Sequence, residues 1–142
     1  MAESPCIFCE IVARRAPAAR IYEDEAVLVF LDLFPAAPGH TLLIPKRHYE
    51  NLYEADEPSL LAVTAAARYA AHALRRARSP EGLTVVQLNG AAAGQTVFHY
   101  HVHLIPRRHG DNLRIHGRVA AERGELESIA GEIAAAFSVE EA

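Results

Sequence analysis

Three histidines at every second position constrain this chain more than any other feature. Residues 95–106 read QTVFHYHVHLIP, in which His99, His101 and His103 alternate with aromatic and aliphatic residues. This composition favours a β-strand, and side chains along a strand point alternately to its two faces. We therefore predict a strand with the three imidazoles on one face, ended by Pro106. The apolar residues expected on its other face are Phe98, Tyr100, Val102 and Leu104.

The simplest explanation of the row is a solvent-exposed face that happens to be rich in histidine. Three neutral imidazoles contribute little to solubility, so this explanation is weak. Two functional interpretations stand beside it: a metal site, or a nucleophile with helper groups. Neighbouring side chains on one face of a strand start about 7 Å apart, so two of them converge on an ion more easily than three. A hydrolase with a catalytic zinc on all three histidines is therefore the weaker metal hypothesis.

Length and composition indicate one domain with its own core. The chain has 142 residues, of which 51% are hydrophobic, and it contains no apolar run long enough for a transmembrane helix. No basic segment followed by an apolar stretch marks a signal peptide, so we expect a cytoplasmic protein with no membrane partner. A net charge of −4 argues against a nucleic-acid partner that is bound by neutralising phosphates.

Cys6 and Cys9 form a Cys-x-x-Cys pair near the N-terminus. In a reducing compartment such a pair indicates metal binding or redox chemistry rather than a structural disulfide. A thioredoxin-like motif would follow a strand, and no strand precedes this pair. Two thiolates alone do not hold zinc, so a metal site requires two further ligands.

The remaining pattern predicts an α+β fold with a mainly antiparallel sheet, because strands follow one another directly along the chain. A short helix is predicted within 6–15, a long one over 56–78 with Asp56 as its N-cap, and a third over 121–137. Further strands are predicted on both sides of an acidic turn at 23–25, over 41–44 and over 83–89. Arg107 and Arg108 are expected on a solvated edge.

The loop before the histidine strand is a second place where chemistry can concentrate. Gly90 and Gly94 allow the backbone to approach a ligand closely, and Gln95 and Thr96 add an amide and a hydroxyl. Together they resemble an oxyanion-binding loop. A glycine-rich loop alone is equally typical of an ordinary turn.

The histidine row and this loop together resemble the histidine triad (HIT) family of nucleotide hydrolases and transferases. HYHVHLI matches the family motif His-φ-His-φ-His-φ-φ, in which φ is an apolar residue. CIFCEI is similar to the N-terminal motif of bacterial-type members, FLDLFPAAPGHTLLIPKRH to the ribose-binding and central-strand segment, and NGAAAGQTVFHYHVHLIPR to the phosphate loop and catalytic strand. The resemblance implies a single HIT domain over residues 1–142, with a five-stranded sheet, one long helix and one C-terminal helix.

The resemblance also implies covalent catalysis. His101 would attack the α-phosphorus of a nucleotide, and water would then hydrolyse the nucleotidyl-histidine intermediate. His103 would hydrogen-bond the phosphate or the leaving group, and His40 matches the family's fourth histidine. Gln95 and Thr96 would hold phosphate oxygens. The chain would cleave P–N or P–O bonds and release a nucleoside monophosphate, and a nucleotide-binding or scaffold protein with little turnover is the alternative.

The family pattern further implies a purine nucleotide as substrate. Asp32 matches the carboxylate that binds the ribose hydroxyls, and Asn89 and Gly94 match positions near the ribose and phosphate. The apolar slot for the base would be formed by Ile7, Phe8, Ile11 and Phe30. Adenosine phosphoramidate, aminoacyl adenylate and dinucleoside polyphosphate all stay open as substrates.

Cys6, Cys9, His48 and His99 resemble the zinc site of bacterial members. Two thiolates and two imidazoles complete a closed tetrahedral site, so the implied cofactor is a structural zinc, and none is required for the chemistry. The family also implies a homodimer with the helix over 56–78 near its interface. The alanines that would give that helix a smooth surface are Ala62, Ala65, Ala66, Ala70, Ala73 and Ala77. No role is assigned to His72, His109 or His116.

Overall fold

Five antiparallel strands form the sheet in the computed structural model, which describes residues 6–112, 114–117 and 119–140. The strands are β1 (Arg20–Glu23), β2 (Val27–Leu31), β3 (Thr41–Pro45), β4 (Gly82–Val86) and β5 (Val102–Arg107). The helices are α1 (Ile7–Val12), α2 (Glu57–Arg78) and α3 (Arg123–Ala136). The strand order is β1-β2-β3-β5-β4, which confirms the predicted α+β fold. Within the described ranges, no helix is both long and apolar enough to cross a membrane.

The two faces of the sheet carry separate apolar clusters. On β2, Val27, Val29 and Leu31 pack in the larger cluster, which α2 and α3 cover. The alternate residues of that strand pack in a smaller cluster with α1. Because Val102 and Leu104 of β5 belong to the larger cluster, His103 points to the opposite face, toward α1.

Helix α2 begins where the sequence predicts it. The Asp56 carboxylate accepts the Ser59 N–H at 2.9 Å, and a proline in the first turn lacks only an N–H that would have no helical partner. Ala66, Ala70 and Ala73 are buried against the sheet. These three alanines therefore cannot form the intermolecular surface that we expected of them.

The histidine strand is shorter at its start and longer at its end than predicted. Pairing with β3 begins at Val102 and pairing with β4 at His103, so His99 and His101 precede the strand. Pro106 lies inside it, because its nitrogen faces the side on which pairing with β3 has already ended. The prediction for Phe98 is also wrong, since 42% of that residue is exposed. The other three apolar residues, Tyr100, Val102 and Leu104, lie in the core.

The two arginines after the histidines do not form a solvated edge together. Arg107 is buried, and its guanidinium binds the Asp111 carboxylate at 2.6 Å and the Asn112 carbonyl. Arg108 is exposed, but it donates to the Arg78 and Ser79 carbonyls at the end of α2. Both therefore hold the turn after β5 against its neighbours.

Candidate active site and metal centre

A main-chain carbonyl orients His101. The ring Nδ1 lies 2.6 Å from the carbonyl oxygen of His99, and because a carbonyl only accepts, Nδ1 carries the proton. A neutral ring then has its lone pair on Nε2. Burial lowers the pKa of His101, which favours the neutral form. The site thus holds an unprotonated ring nitrogen, as nucleophilic attack requires.

His40 and His103 form a hydrogen-bond chain that leaves its last N–H unpaired. The Ala36 N–H donates to Nδ1 of His40 at 2.9 Å, so the proton of His40 is on Nε2. That atom lies 2.9 Å from Nδ1 of His103, which must accept and carry its own proton on Nε2. Within the described part of the chain, Nε2 of His103 is buried without a hydrogen-bond partner. An N–H in this state can donate to an oxygen of a ligand.

Both rings of this chain are held neutral by burial. Desolvation lowers the pKa of His40 to about 4 and that of His103 to about 3. Asp32 lies beside them, with one carboxylate oxygen 3.5 Å from Nε2 of His40 and the other accepting the Phe34 N–H at 2.9 Å. Burial raises the pKa of Asp32. Hydroxyl groups that donate hydrogen bonds to a buried carboxylate of this kind stabilise its charge.

A cavity of about 310 Å³ joins these histidines to an apolar slot. Its lining includes Asp32, His101 and His103, and the four apolar residues expected to hold a base all contribute to it. Phe8 stands between the two parts, with its ring centroid 5.1 Å from that of His101 and 5.5 Å from that of Phe30. The four slot residues are Ile7, Phe8, Ile11 and Phe30.

The loop before the histidines is placed differently from the expectation. The Gln95 side chain is already used, since its oxygen accepts the Gly90 N–H at 2.7 Å and its amide donates to the Glu50 and Val97 carbonyls. It shapes the loop and has no free group for a phosphate. Thr96 is exposed and lines the cavity.

Two further expected nucleotide contacts, Asn89 and Gly94, do not line the cavity formed by the described residues. The Asn89 oxygen accepts the Leu52 N–H at 2.8 Å, and its amide pairs with Gln87. Gly94 has a φ of 99°, which favours glycine, and closes a short 3-10 turn. Both residues therefore build the loop.

The four residues predicted to bind zinc form one cluster. Nδ1 of His99 lies 3.5 Å from the Cys6 sulfur, 3.6 Å from the Cys9 sulfur and 3.2 Å from Nδ1 of His48. Zinc bonds of about 2.0 Å to nitrogen and 2.3 Å to sulfur give tetrahedron edges of about 3.3–3.8 Å. These separations and this donor set therefore fit a tetrahedral zinc ion.

The surroundings of the cluster set the protonation that zinc needs. Nε2 of His99 donates to the Pro45 carbonyl at 2.8 Å, which leaves Nδ1 free for a metal. Burial raises the pKa of the Cys9 thiol to about 11, and Cys6 adds to this effect. A bound cation would reverse it by favouring the thiolates.

His99 thus belongs to a different site from the other two triad histidines. Nδ1 of His99 faces the cysteine cluster and Nε2 faces a carbonyl, so neither ring nitrogen is directed to the cavity. The Phe8 ring contacts both histidines, with centroid distances of 5.9 Å to His99 and 5.1 Å to His101. This division argues against one catalytic metal on all three histidines.

One histidine of the cavity, His116, lies outside the motifs that the sequence shares with the family. It lines the cavity, and its ring centroid lies 5.6 Å from that of His103. The residue belongs to the segment after β5, outside the recognised motifs, so only the folded chain reveals its position.

Comparison with known proteins identifies the family to which the chain is similar. A family model described as HIT domain matches residues 13–110. The chain is 49% identical over 102 residues to Protein hit of Bacillus subtilis, which covers 72% of this chain and 70% of that protein. It is 37% identical over 111 residues to adenylylsulfatase HINT3 of Arabidopsis thaliana, covering 78% of this chain and 56% of that protein.

Two solved structures extend the likeness to the fold. A Hit-like protein involved in cell-cycle regulation from Bartonella henselae has a TM-score of 0.90 and 40% identity, over 96% of this chain and 98% of that one. A Zn-bound histidine triad family protein from Mycobacterium smegmatis has a TM-score of 0.81 and 39% identity, over 92% of this chain and 91% of that one.

Proposed function

Because the chain belongs to the histidine triad (HIT) family, in the form with an N-terminal Cys-x-x-Cys pair, we propose that it cleaves nucleotides at the α-phosphate through His101. Family membership supports nucleotide hydrolysis in general, and one relative is an adenylylsulfatase. The finer assignment depends on the opposite protonation of two neighbouring rings: Nε2 of His101 is a free acceptor, whereas Nε2 of His103 is a free donor.

These two nitrogens suit a two-step reaction. The lone pair on Nε2 of His101 attacks phosphorus, the P–N or P–O bond to the leaving group breaks, and the electron pair departs with that group. An oxyanion departs as it is, whereas an amine also takes the proton from Nε2 of His103, which the proton released by water in the second step replaces. Nε2–H of His103 holds a phosphoryl oxygen or the leaving group. Water then attacks phosphorus, releases the nucleoside monophosphate with one proton, and restores the neutral ring of His101.

The same geometry supports a refined set of substrate contacts. Asp32 would accept the ribose hydroxyls, Thr96 would contact phosphate oxygens, and the base would lie in the slot beside Phe8. The tight contacts inside the loop support a positioning role for Gln95, and likewise for Asn89 and Gly94. Because the slot is apolar, we expect little discrimination between purines.

We also propose that Cys6, Cys9, His48 and His99 hold one structural zinc ion. The ion would cross-link α1 to the loops that carry His48 and His99. The proposed reaction would not require this ion. The ligand separations and the fixed Nδ1 lone pair of His99 support this site.

A homodimer is the proposed assembly. Strand β4 lies at an edge of the sheet, and an unpaired edge strand offers backbone groups to a second chain. Val85 on this strand is 58% exposed, and Leu61 on α2 is 63% exposed. These residues replace the buried alanines as the candidate apolar interface.

Turnover and intermediate trapping test the proposed reaction. Adenosine phosphoramidate, an aminoacyl adenylate and a dinucleoside polyphosphate are offered to the wild type and to His101→Ala, with release of nucleoside monophosphate as the readout. We expect the variant to lose several orders of magnitude in turnover yet still bind nucleotide. Mass spectrometry of a quenched reaction should find the nucleotidyl group on His101. Nucleotide binding without turnover by the wild type would favour the scaffold alternative.

A further inference from the structure

His116 joins two walls of the active-site cavity. Its Nε2 lies 3.1 Å from the carbonyl oxygen of Gly94, at the end of the loop before the triad. Because the carbonyl accepts, Nε2 carries a proton, and a second proton on Nδ1 would make the ring a cation. The ring also contacts His103, whose free N–H we place at the phosphate.

The position of this ring is fixed by the segment that carries it. The Gly117 N–H donates to the Phe34 carbonyl at 3.0 Å, and the Ala121 N–H donates to the Leu33 carbonyl at 2.9 Å. A Cβ atom at Gly117 would lie 2.1 Å from the Pro35 carbonyl oxygen, so only glycine permits this close approach. These contacts hold the segment against the turn that follows Asp32. They fix the His116 imidazole beside His103, at the part of the cavity where we place the phosphate.

The three groups nearest to His116 in the proposed site, His40, His103 and Asp32, do not include a cation. Burial keeps His40 and His103 neutral, and Asp32 is a carboxylate. A leaving oxyanion carries a growing negative charge as its bond to phosphorus breaks, and a preorganised cation stabilises that charge. An amine leaving group gains no such benefit, since it departs as a neutral or protonated base.

We propose that His116 contacts the leaving group and favours nucleotides whose leaving group is an oxyanion, such as a sulfate or a phosphate. This inference rests on the proposed function, and it adds a substrate class to it. As the P–O bond breaks, the electron pair leaves with the oxyanion, and Nδ1–H of the His116 imidazolium hydrogen-bonds it.

Two substrates that differ only in the leaving group test this role: adenosine 5′-phosphosulfate and adenosine 5′-phosphoramidate. We expect His116→Ala to lower kcat/KM for the phosphosulfate by roughly tenfold or more relative to the phosphoramidate. His116→Gln keeps an N–H for Gly94 but cannot become a cation, so it should show the same selective loss. His109→Ala, which removes an exposed histidine of the same segment, is the matched control.

A substitution that displaces the segment carrying His116 tests the proposal independently. Gly117→Ala should shift His116 and reproduce the selective loss, whereas Gly131→Ala, whose added Cβ meets no atom within 4 Å, should not. Equal losses on both substrates, no loss on either, or full rescue by His116→Gln would overturn the proposal. Full rescue would mean that the residue only holds the loop through Gly94.

A binding measurement separates this proposal from the proposed function. In a His101→Ala background, addition of His116→Ala should weaken the Kd for adenosine 5′-phosphosulfate roughly tenfold and leave that for the phosphoramidate within about twofold. If the wild type cleaves neither substrate, the proposed function fails, while this comparison still decides the role of His116. Unchanged Kd values, or no binding of either nucleotide, would overturn it.

Discussion

The carbonyl oxygen of His99 lies 2.6 Å from Nδ1 of His101. One residue thereby serves two sites: its ring faces Cys6 and Cys9, and its main chain fixes the position of the ring proton of His101. The proposed zinc ion and the proposed chemistry are neighbours in the fold but use different atoms. Their contributions can therefore be separated by experiment.

Loss of a zinc ligand should weaken the fold more than the chemistry. We expect about one zinc ion per chain in the wild type, and Cys9→Ser should lower Tm by about 5 °C or more, because metal binding contributes directly to folding. Turnover per folded molecule should stay within about tenfold, since His101 needs no metal. Elemental analysis, calorimetry and kinetics measure these quantities.

A chelator supplies the control for that variant. After zinc removal, the wild type and Cys9→Ser should have similar Tm values, because the sulfur then has no metal to bind. A protein that never takes up zinc, even when refolded with the metal, would contradict the site. A folded but inactive zinc-free enzyme would assign the metal to the reaction.

Removal of His40 should impair catalysis, although His40 itself does not contact the phosphate in the proposed site. His40→Ala deletes the donor to Nδ1 of His103, so the proton of His103 can move away from the nitrogen that faces the cavity. We expect kcat to fall roughly 10–100-fold, as for other groups that orient a reactive imidazole. His72→Ala, on α2, is the matched control, and equal activities of the two variants would disprove the orientation chain.

Acid should destabilise the folded chain through its buried neutral histidines. Unfolded His40 and His103 titrate near their usual pKa of about 6.5, whereas the folded pKa values are about 4 and about 3. The unfolded state then binds more protons, so the free energy of unfolding should fall by roughly 1–3 kcal/mol from pH 7 to pH 4.5. The pKa of Asp32 is raised by burial, and protonation of this group on acidification opposes the trend.

Urea denaturation at several pH values measures this dependence. His40→Gln, compared at the same zinc content, should flatten the slope, because one buried titrating ring has been removed. An unchanged slope would show that these histidines do not set the acid response.

A charge on the exposed edge strand should dissociate the proposed dimer. Val85→Asp places a carboxylate where a second β4 would pack, and burial of that charge without a partner is unfavourable. Sedimentation at micromolar concentration should show a dimer for the wild type and a monomer for the variant. Val139→Asp, at another exposed valine, should stay dimeric, and a monomeric wild type with normal activity would refute the assembly.

The sequence was most informative where a local rule decides the structure. Asp56 predicts the start of α2 because a carboxylate can cap a helix. Alternation along β2 separates its two packed faces. The spacing of Cys6 and Cys9, together with the family resemblance, predicts a cluster that the structure confirms as a set of neighbours.

Long-range contacts explain what the sequence could not predict. Strand β5 begins only where β3 and β4 pair with it, and no local signal places that point after His101. The Gln95 amide donates to the Glu50 carbonyl, 45 positions away along the chain, and to the nearby Val97 carbonyl. His116 reaches the cavity because a distant turn anchors Gly117.

Helix α1 shows how late in folding the apolar slot of the cavity must be completed. Its six residues are too few to form a stable helix alone, and Cys6 meets its histidine partner 93 positions further along the chain. We therefore expect Ile7, Phe8 and Ile11 to take up their places only after β3 and the triad segment have assembled. Contacts of such sequence separation close slowly, so the ability to bind a nucleotide should appear in refolding after most of the sheet has formed.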